Sequence, residues 1–266
     1  MAIDAFLDRR SRTRAVTTAG EVELPVLYRD ATAVFAFFRV EHRRAADLLA
    51  GTPFHPVQFA RDTAIAGIAA YDYRDTSVGA YREVGVALAV VPRSVAAPSL
   101  PLLHLLRSSS RQDVGWHVLD LPVTTTTADV GGRELWGFPK FVTEIGVEDA
   151  DDGIKVVVCA PEGEEPVAVL EGRIGPGLPL GAMNLVFYTV SAGKVLRTMV
   201  EARGRMHTAL GRGLTLRVGG ADVPMARRLR ALGLDGAQPF AAQMCRHYRA
   251  VLHAAAPFHD AAERAA

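Results

Sequence analysis

Short apolar runs separated by Gly, Pro and Asp set the pattern of the chain, and most are too short and too β-branched for helices. Residues 33–40 (Ala-Val-Phe-Ala-Phe-Phe-Arg-Val) have the aromatic, branched composition of a buried strand. The stretch 43–50 then predicts a helix closed by Gly51 and Pro53. Residues 64–73 and 81–91 predict a hairpin joined through Arg74-Asp75-Thr76-Ser77. Further strands are expected over 116–123, 138–147, 155–159, 166–171, 183–190, 195–206 and 214–218, and a helix over 222–232 capped by Asp222. Many antiparallel-looking strands with few helices predict an α+β protein, mainly antiparallel β, whose sheet closes or nearly closes into a barrel with peripheral helices. Residues 1–20 and 257–266 are expected to be tails around a single domain spanning 21–256.

Alternation along 81–91 places Glu83 on one face with Gly85, Ala87 and Ala89, while Val84, Val86, Leu88 and Val90 take the other. A carboxylate above such small residues has room beside it for a ligand. The same alternation puts Lys140 and Phe141 on opposite faces.

Composition narrows the chemistry. The formal net charge is +1, so no basic field points to nucleic acid or to an anionic membrane as partner, and no window reaches the ~18 apolar residues of a membrane span. Arg9-Arg10 with Arg12 and Arg14 has no apolar region after it to make an export signal. Two distant cysteines, Cys159 and Cys245, give no disulfide framework and suit a reducing, cytoplasmic compartment. The eight histidines show no metal-ligand spacing.

Lys140 is one of only three lysines among 30 basic residues. It follows Trp136-Gly137-Phe138-Pro139 and precedes Phe141, whereas Lys155 and Lys194 lie in turn-like, solvated settings. A lysine amine is almost entirely protonated at neutral pH, and burial favours its neutral, nucleophilic form. Lysines beside apolar runs also commonly snorkel to water, and composition alone favours that reading.

The surrounding words shift the balance. Gly132-Arg133-Glu134 followed by Pro139-Lys140 resembles the acetoacetate decarboxylase family, whose lysine forms a Schiff base with a keto acid. Gly79-Ala80-Tyr81-Arg82-Glu83 is similar to the family's Gly-x-Tyr-x-Glu strand. The resemblance implies a barrel with the lysine inside, Lys140 and Glu83 as catalytic residues, no cofactor, and assembly as a homo-oligomer. It implies a substrate-binding role for Tyr81, Trp136 and Phe138 around a small keto compound, and for Arg29 toward the substrate carboxylate. It also implies a final strand over 246–252, where alanine richness by itself favours a helix. Arg133 and Glu134 are read as structural support, His247 and Tyr248 as further candidates for lining the pocket, and the run Arg227-Arg228-Leu229-Arg230 as the solvated face of a helix.

Two positions depart from the family. Phe141 replaces a second lysine, and Ala69 stands where the family carries another carboxylate, leaving Asp72 or Tyr71 as substitutes. The reading taken is a carbon-carbon lyase that decarboxylates a β-keto acid through a Lys140 imine and enamine. Aldolase, dehydratase or cyclase chemistry on a larger keto substrate uses the same early steps, and a non-catalytic ligand-binding barrel is the reading from another class.

Overall fold

The computed structural model describes residues 5–8, 12–99, 101, 112–150 and 153–259. A hairpin of β1 (Thr13–Thr17) and β2 (Gly20–Leu24) opens the fold, so the expected tail already contains a strand. There follow β3 (Val26–Glu41), α1 (His42–Leu48), β4 (Phe54–Pro56), β5 (Thr63–Thr76), β6 (Tyr81–Pro92) and β7 (Gly115–Val123). Helix α2 (Thr126–Trp136) leads into β8 (Lys140–Val142), β9 (Ile145–Ala150), β10 (Gly153–Cys159), β11 (Pro166–Gly172) and β12 (Gly177–Gly181). The chain ends with β13 (Leu185–Ser191), β14 (Lys194–Arg203), β15 (Arg205–Ala209), β16 (Leu214–Val218), α3 (Pro224–Ala231), β17 (Ala241–Leu252) and β18 (Ala256–Pro257).

Seven strands form a closed ring in the order β17-β3-β5-β6-β7-β13-β14 and back to β17. Closure leaves no open edge between these strands. Alternation then sorts their side chains into two cores. Ala33, Phe35, Tyr71, Tyr73, Ala87 and Trp116 pack inside the barrel. Val34, Ala36, Phe38, Val84, Val86 and Leu88 point outward, against the four-stranded sheet β16-β11-β10-β9 and Met225, Ala226 and Leu229 of α3. No helix among the described residues is long and apolar enough to cross a membrane.

The expected hairpin forms with β5 and β6 antiparallel, but β5 continues through Thr76, so the turn falls over 77–80. The single strand expected over 138–147 divides into β8 and β9, and that over 195–206 divides at Gly204, where a Cβ would stand 2.7 Å from Cys245 Sγ. Asp222 does not cap α3. Val223 holds the cap position, and Asp222 instead accepts a 2.6 Å hydrogen bond from Arg227 Nε.

Arg228 corrects the expectation of a wholly solvated arginine face. Its Nε donates at 2.8 Å to Asp120 of β7, and its Nη2 meets the other carboxylate oxygen. The Asp120 side chain is only 2% exposed, and burial raises its pKa against the opposing pull of Arg228. This pair fastens α3 to the barrel wall on the face away from the interior.

Candidate active site

Lys140 is delivered by the end of α2. The Thr125 side chain accepts from the Ala128 amide at the helix start, and Gly137 ends it in the left-handed conformation at φ 66°. Two hydrogen bonds hold this terminus. The Trp136 indole donates to the His253 carbonyl at 2.8 Å, and the Thr189 hydroxyl donates to the Trp136 carbonyl at 2.6 Å. Phe138 then packs edge-on against Phe187 with ring centroids 5.7 Å apart, and Lys140 pairs with Leu121 of β7 in parallel register.

Glu83 meets it from β6. Lys140 Nζ lies 2.5 Å from Glu83 Oε2, and the two side chains are 7% and 9% exposed. The Tyr81 ring centroid is 5.5 Å from the same nitrogen, and the Tyr81 hydroxyl lies 3.2 Å from that of Tyr28. A buried ion pair is costly to desolvate unless its geometry is good, so its placement beside a cavity is a pointer to chemistry more than to stability.

The cavity measures about 90 Å³. That is less than the roughly 150 Å³ of an engineered cavity that admits benzene, so a ligand here is compact or moves the lining side chains. Glu83 and Lys140 share the lining with Gly67, Ala69, Gly85 and Ala87 on one side. Phe35, Phe37, Trp116, Phe138 and Phe187 contribute aromatic surface, and Tyr28, Tyr71, Tyr73 and Tyr248 contribute phenols. Burial is the leading cause that holds the pKa of these four tyrosines, and that of Tyr81, above the usual phenol range. The Glu83 carboxylate adds to the effect at Tyr28, Tyr71, Tyr73 and Tyr81. These groups therefore remain hydroxyls, able to donate to a bound carbonyl.

The other expected binding residues divide. Phe138 lines the cavity. Tyr81 and Trp136 line a separate space of about 30 Å³ on the α2 side of Lys140. Arg29 is outside altogether, paired at 3.1 Å with Asp75 and 38% exposed. Its displacement has a local cause. Val26 and Tyr28 face inward, but register shifts on either side of Asp30 restart the inward set at Ala31, leaving Arg29 and Asp30 outside. A matching irregularity in β17 puts Tyr248 inside while His247 is exposed and bonds to Asp30 at 3.2 Å. Of the substitutes for an acid at position 69, Tyr71 faces the cavity, and Asp72 lies outside with Arg82 at 3.1 Å. Arg133 pairs with Asp129 on α2, and Glu134 accepts a 3.0 Å hydrogen bond from the Thr18 amide at the β1–β2 turn, so both brace the fold.

Phe35, Phe37, Trp116 and Phe187 line the cavity although none is among the expected site residues. Alternation within their strands was the available signal, but which face closes on itself depends on the ring.

Phe141 packs against the outer core, on the opposite side of β8 from the cavity. A Phe141→Lys variant is expected to lose about 1–3 kcal/mol of stability and to gain no turnover of acetoacetate. Urea unfolding with a carbon dioxide release assay checks both; a gain in release would place position 141 in the site.

A closed barrel with a buried lysine-carboxylate pair inside an aromatic cavity defines the class. The acetoacetate decarboxylase family model matches residues 13–192, and the chain belongs to that family. Among solved structures it resembles acetoacetate decarboxylase from Legionella pneumophila subsp. pneumophila str. Philadelphia 1, at 11% identity and TM-score 0.65, covering 98% of this chain and 94% of that one. The enduracididine biosynthesis enzyme MppR complexed with pyruvate is similar at 11% identity and TM-score 0.59, covering 89% and 91%. An acetoacetate decarboxylase-like enzyme from Sphingomonas wittichii RW1 is similar at 10% identity and TM-score 0.58, covering 90% and 94%. No curated protein sequence matches the chain.

Proposed function

We propose that this protein is a carbon-carbon lyase that forms an imine between Lys140 and a β-keto acid with an apolar body, and releases carbon dioxide. The observation that carries the reading is the 2.5 Å contact of Lys140 with Glu83 inside the aromatic cavity. Glu83 takes a proton from Lys140, and the free amine attacks the ketone carbon to give a carbinolamine. Its hydroxyl leaves as water with the proton returned by Glu83, giving an iminium. The bond to the carboxyl carbon then breaks, its electron pair moves toward nitrogen, and carbon dioxide leaves an enamine. Water held by the Glu83 carboxylate gives a proton to the enamine carbon, and the hydroxide left attacks the resulting iminium carbon, so that hydrolysis frees the ketone and the amine.

Charge supports the substrate class. Among the described residues Lys140 is the cation lining the cavity, and Glu83 already answers it. A carboxylate that survives the reaction, as in an α-keto acid, would stay in an apolar space without a counter-ion, at a cost of several kcal/mol. A β-keto carboxylate loses its charge as carbon dioxide, so the same surroundings favour the step that removes it.

Ala69 supports a second reading. The position assigned to another acid is a methyl group on the cavity wall, which leaves aldol, dehydratase or cyclase chemistry on the same enamine open to a neutral carbonyl partner. Borohydride reduction in the presence of a β-keto acid tests the shared step. Mass should be added at Lys140 and be lost in Lys140→Ala. Labelling at the exposed Lys155 or Lys194 with Lys140 unmodified would reject the reading.

A further inference from the structure

We infer that Gly132 is a positioning residue for Lys140: the absence of a side chain on α2 leaves the groove in which the lysine stem lies. The inference rests on the imine reading of Lys140 and adds the element that aims it.

Gly131 and Gly132 are adjacent, buried and both within α2. Their surroundings differ sharply. A Cβ at Gly131 would stand 3.9 Å from Val22 Cγ2, an ordinary contact. A Cβ at Gly132 would overlap Lys140 Cδ and Cε and stand 3.2 Å from Cγ. Flexible side chains often yield to such a methyl group, but this one is fixed at both ends. Its backbone in β8 is paired to Leu121 of β7, its nitrogen is 2.5 Å from Glu83, and its side chain is 7% exposed. The stem can leave the helix surface only by carrying Nζ away from the carboxylate that takes its proton.

Helix propensity favours both substitutions, and only Gly132→Ala separates Lys140 from Glu83. Alanine is better than glycine inside a helix, and both glycines have backbone conformations that alanine adopts without strain. Gly132→Ala is therefore expected to remain folded while losing imine formation. A residue with only a structural role would leave the Lys140–Glu83 contact in place.

The test compares Gly131→Ala and Gly132→Ala in the full chain by urea unfolding, by the rate of borohydride trapping with a β-keto acid, and by crystallography of each variant. Gly131→Ala should trap at the unsubstituted rate. Gly132→Ala should still unfold cooperatively but at a lower urea concentration than Gly131→Ala, because Glu83 loses its partner, trap about a hundred-fold more slowly, as displacements near 1 Å do, and show Lys140 Nζ beyond hydrogen-bond reach of Glu83. The proposal is overturned if the Gly132→Ala crystal structure keeps the Lys140–Glu83 contact, or if both variants lose trapping equally. Should the unsubstituted protein fail to trap any carbonyl compound, the imine reading falls, and the crystal structures still decide whether Gly132 aims the lysine.

Discussion

Lys140→Met is expected to abolish turnover and to destabilise the protein, and a second substitution, Glu83→Leu, is expected to restore the stability without the activity. Removing the nucleophile of a covalent mechanism costs on the order of 10⁴-fold or more in rate. The stability effect has a separate origin. With methionine at 140, Glu83 is left buried in an aromatic cavity without its 2.5 Å partner. Breaking a buried pair in this way costs about 3–5 kcal/mol, whereas replacing both members with apolar residues is often neutral or stabilising by about 1–4 kcal/mol. Urea unfolding of the two single variants and the double variant checks the sign. A double variant as unstable as Lys140→Met would show that the pair holds the barrel together, and would remove the argument that its placement serves chemistry.

Much of this site was legible because strand alternation is local. Glu83, Gly85 and Ala87 share the face that the period of two assigns to them, and Phe141 lies opposite Lys140. Arg29, expected from the family resemblance alone, lies outside the cavity: the inward set Ala31, Ala33 and Phe35 does not continue back to it, because an irregularity that only pairing with β5 and β17 reveals turns Tyr28 inward instead. Helix α2 was missed because threonines fill its first turn and two glycines its interior, so propensity argues against it. It forms because Thr125 caps it, Arg133 pairs with Asp129, and Ala128, Gly131 and Trp136 are buried beside the hairpin and barrel. Arg228 read as solvated because Asp120 lies 108 positions earlier in the chain, and no local pattern joins them.

The buried tyrosines in and beside the cavity should make the protein unusually sensitive to alkali. Tyr28, Tyr71, Tyr73, Tyr81 and Tyr248 all have pKa values raised above the ordinary phenol range in the folded state, chiefly by burial. A raised folded pKa means that their contribution to stability is complete below the unfolded value near 10 and is lost as pH rises beyond it. In that range the unfolded chain releases protons that the folded chain keeps. Each such phenol lowers stability by roughly 1.4 kcal/mol per pH unit, and five together by about 7 kcal/mol. Since a whole domain is stable by only about 5–15 kcal/mol, unfolding is expected within one or two units above pH 10. Urea midpoints measured from pH 8 to 11.5 should fall steeply only above about pH 10. Tyr71→Phe and Tyr73→Phe should each remove one phenol's share of that slope. A midpoint that stays level through pH 11, or a slope unchanged in both variants, would mean that these hydroxyls ionise in the folded barrel, and that the cavity is wetter than its aromatic lining implies.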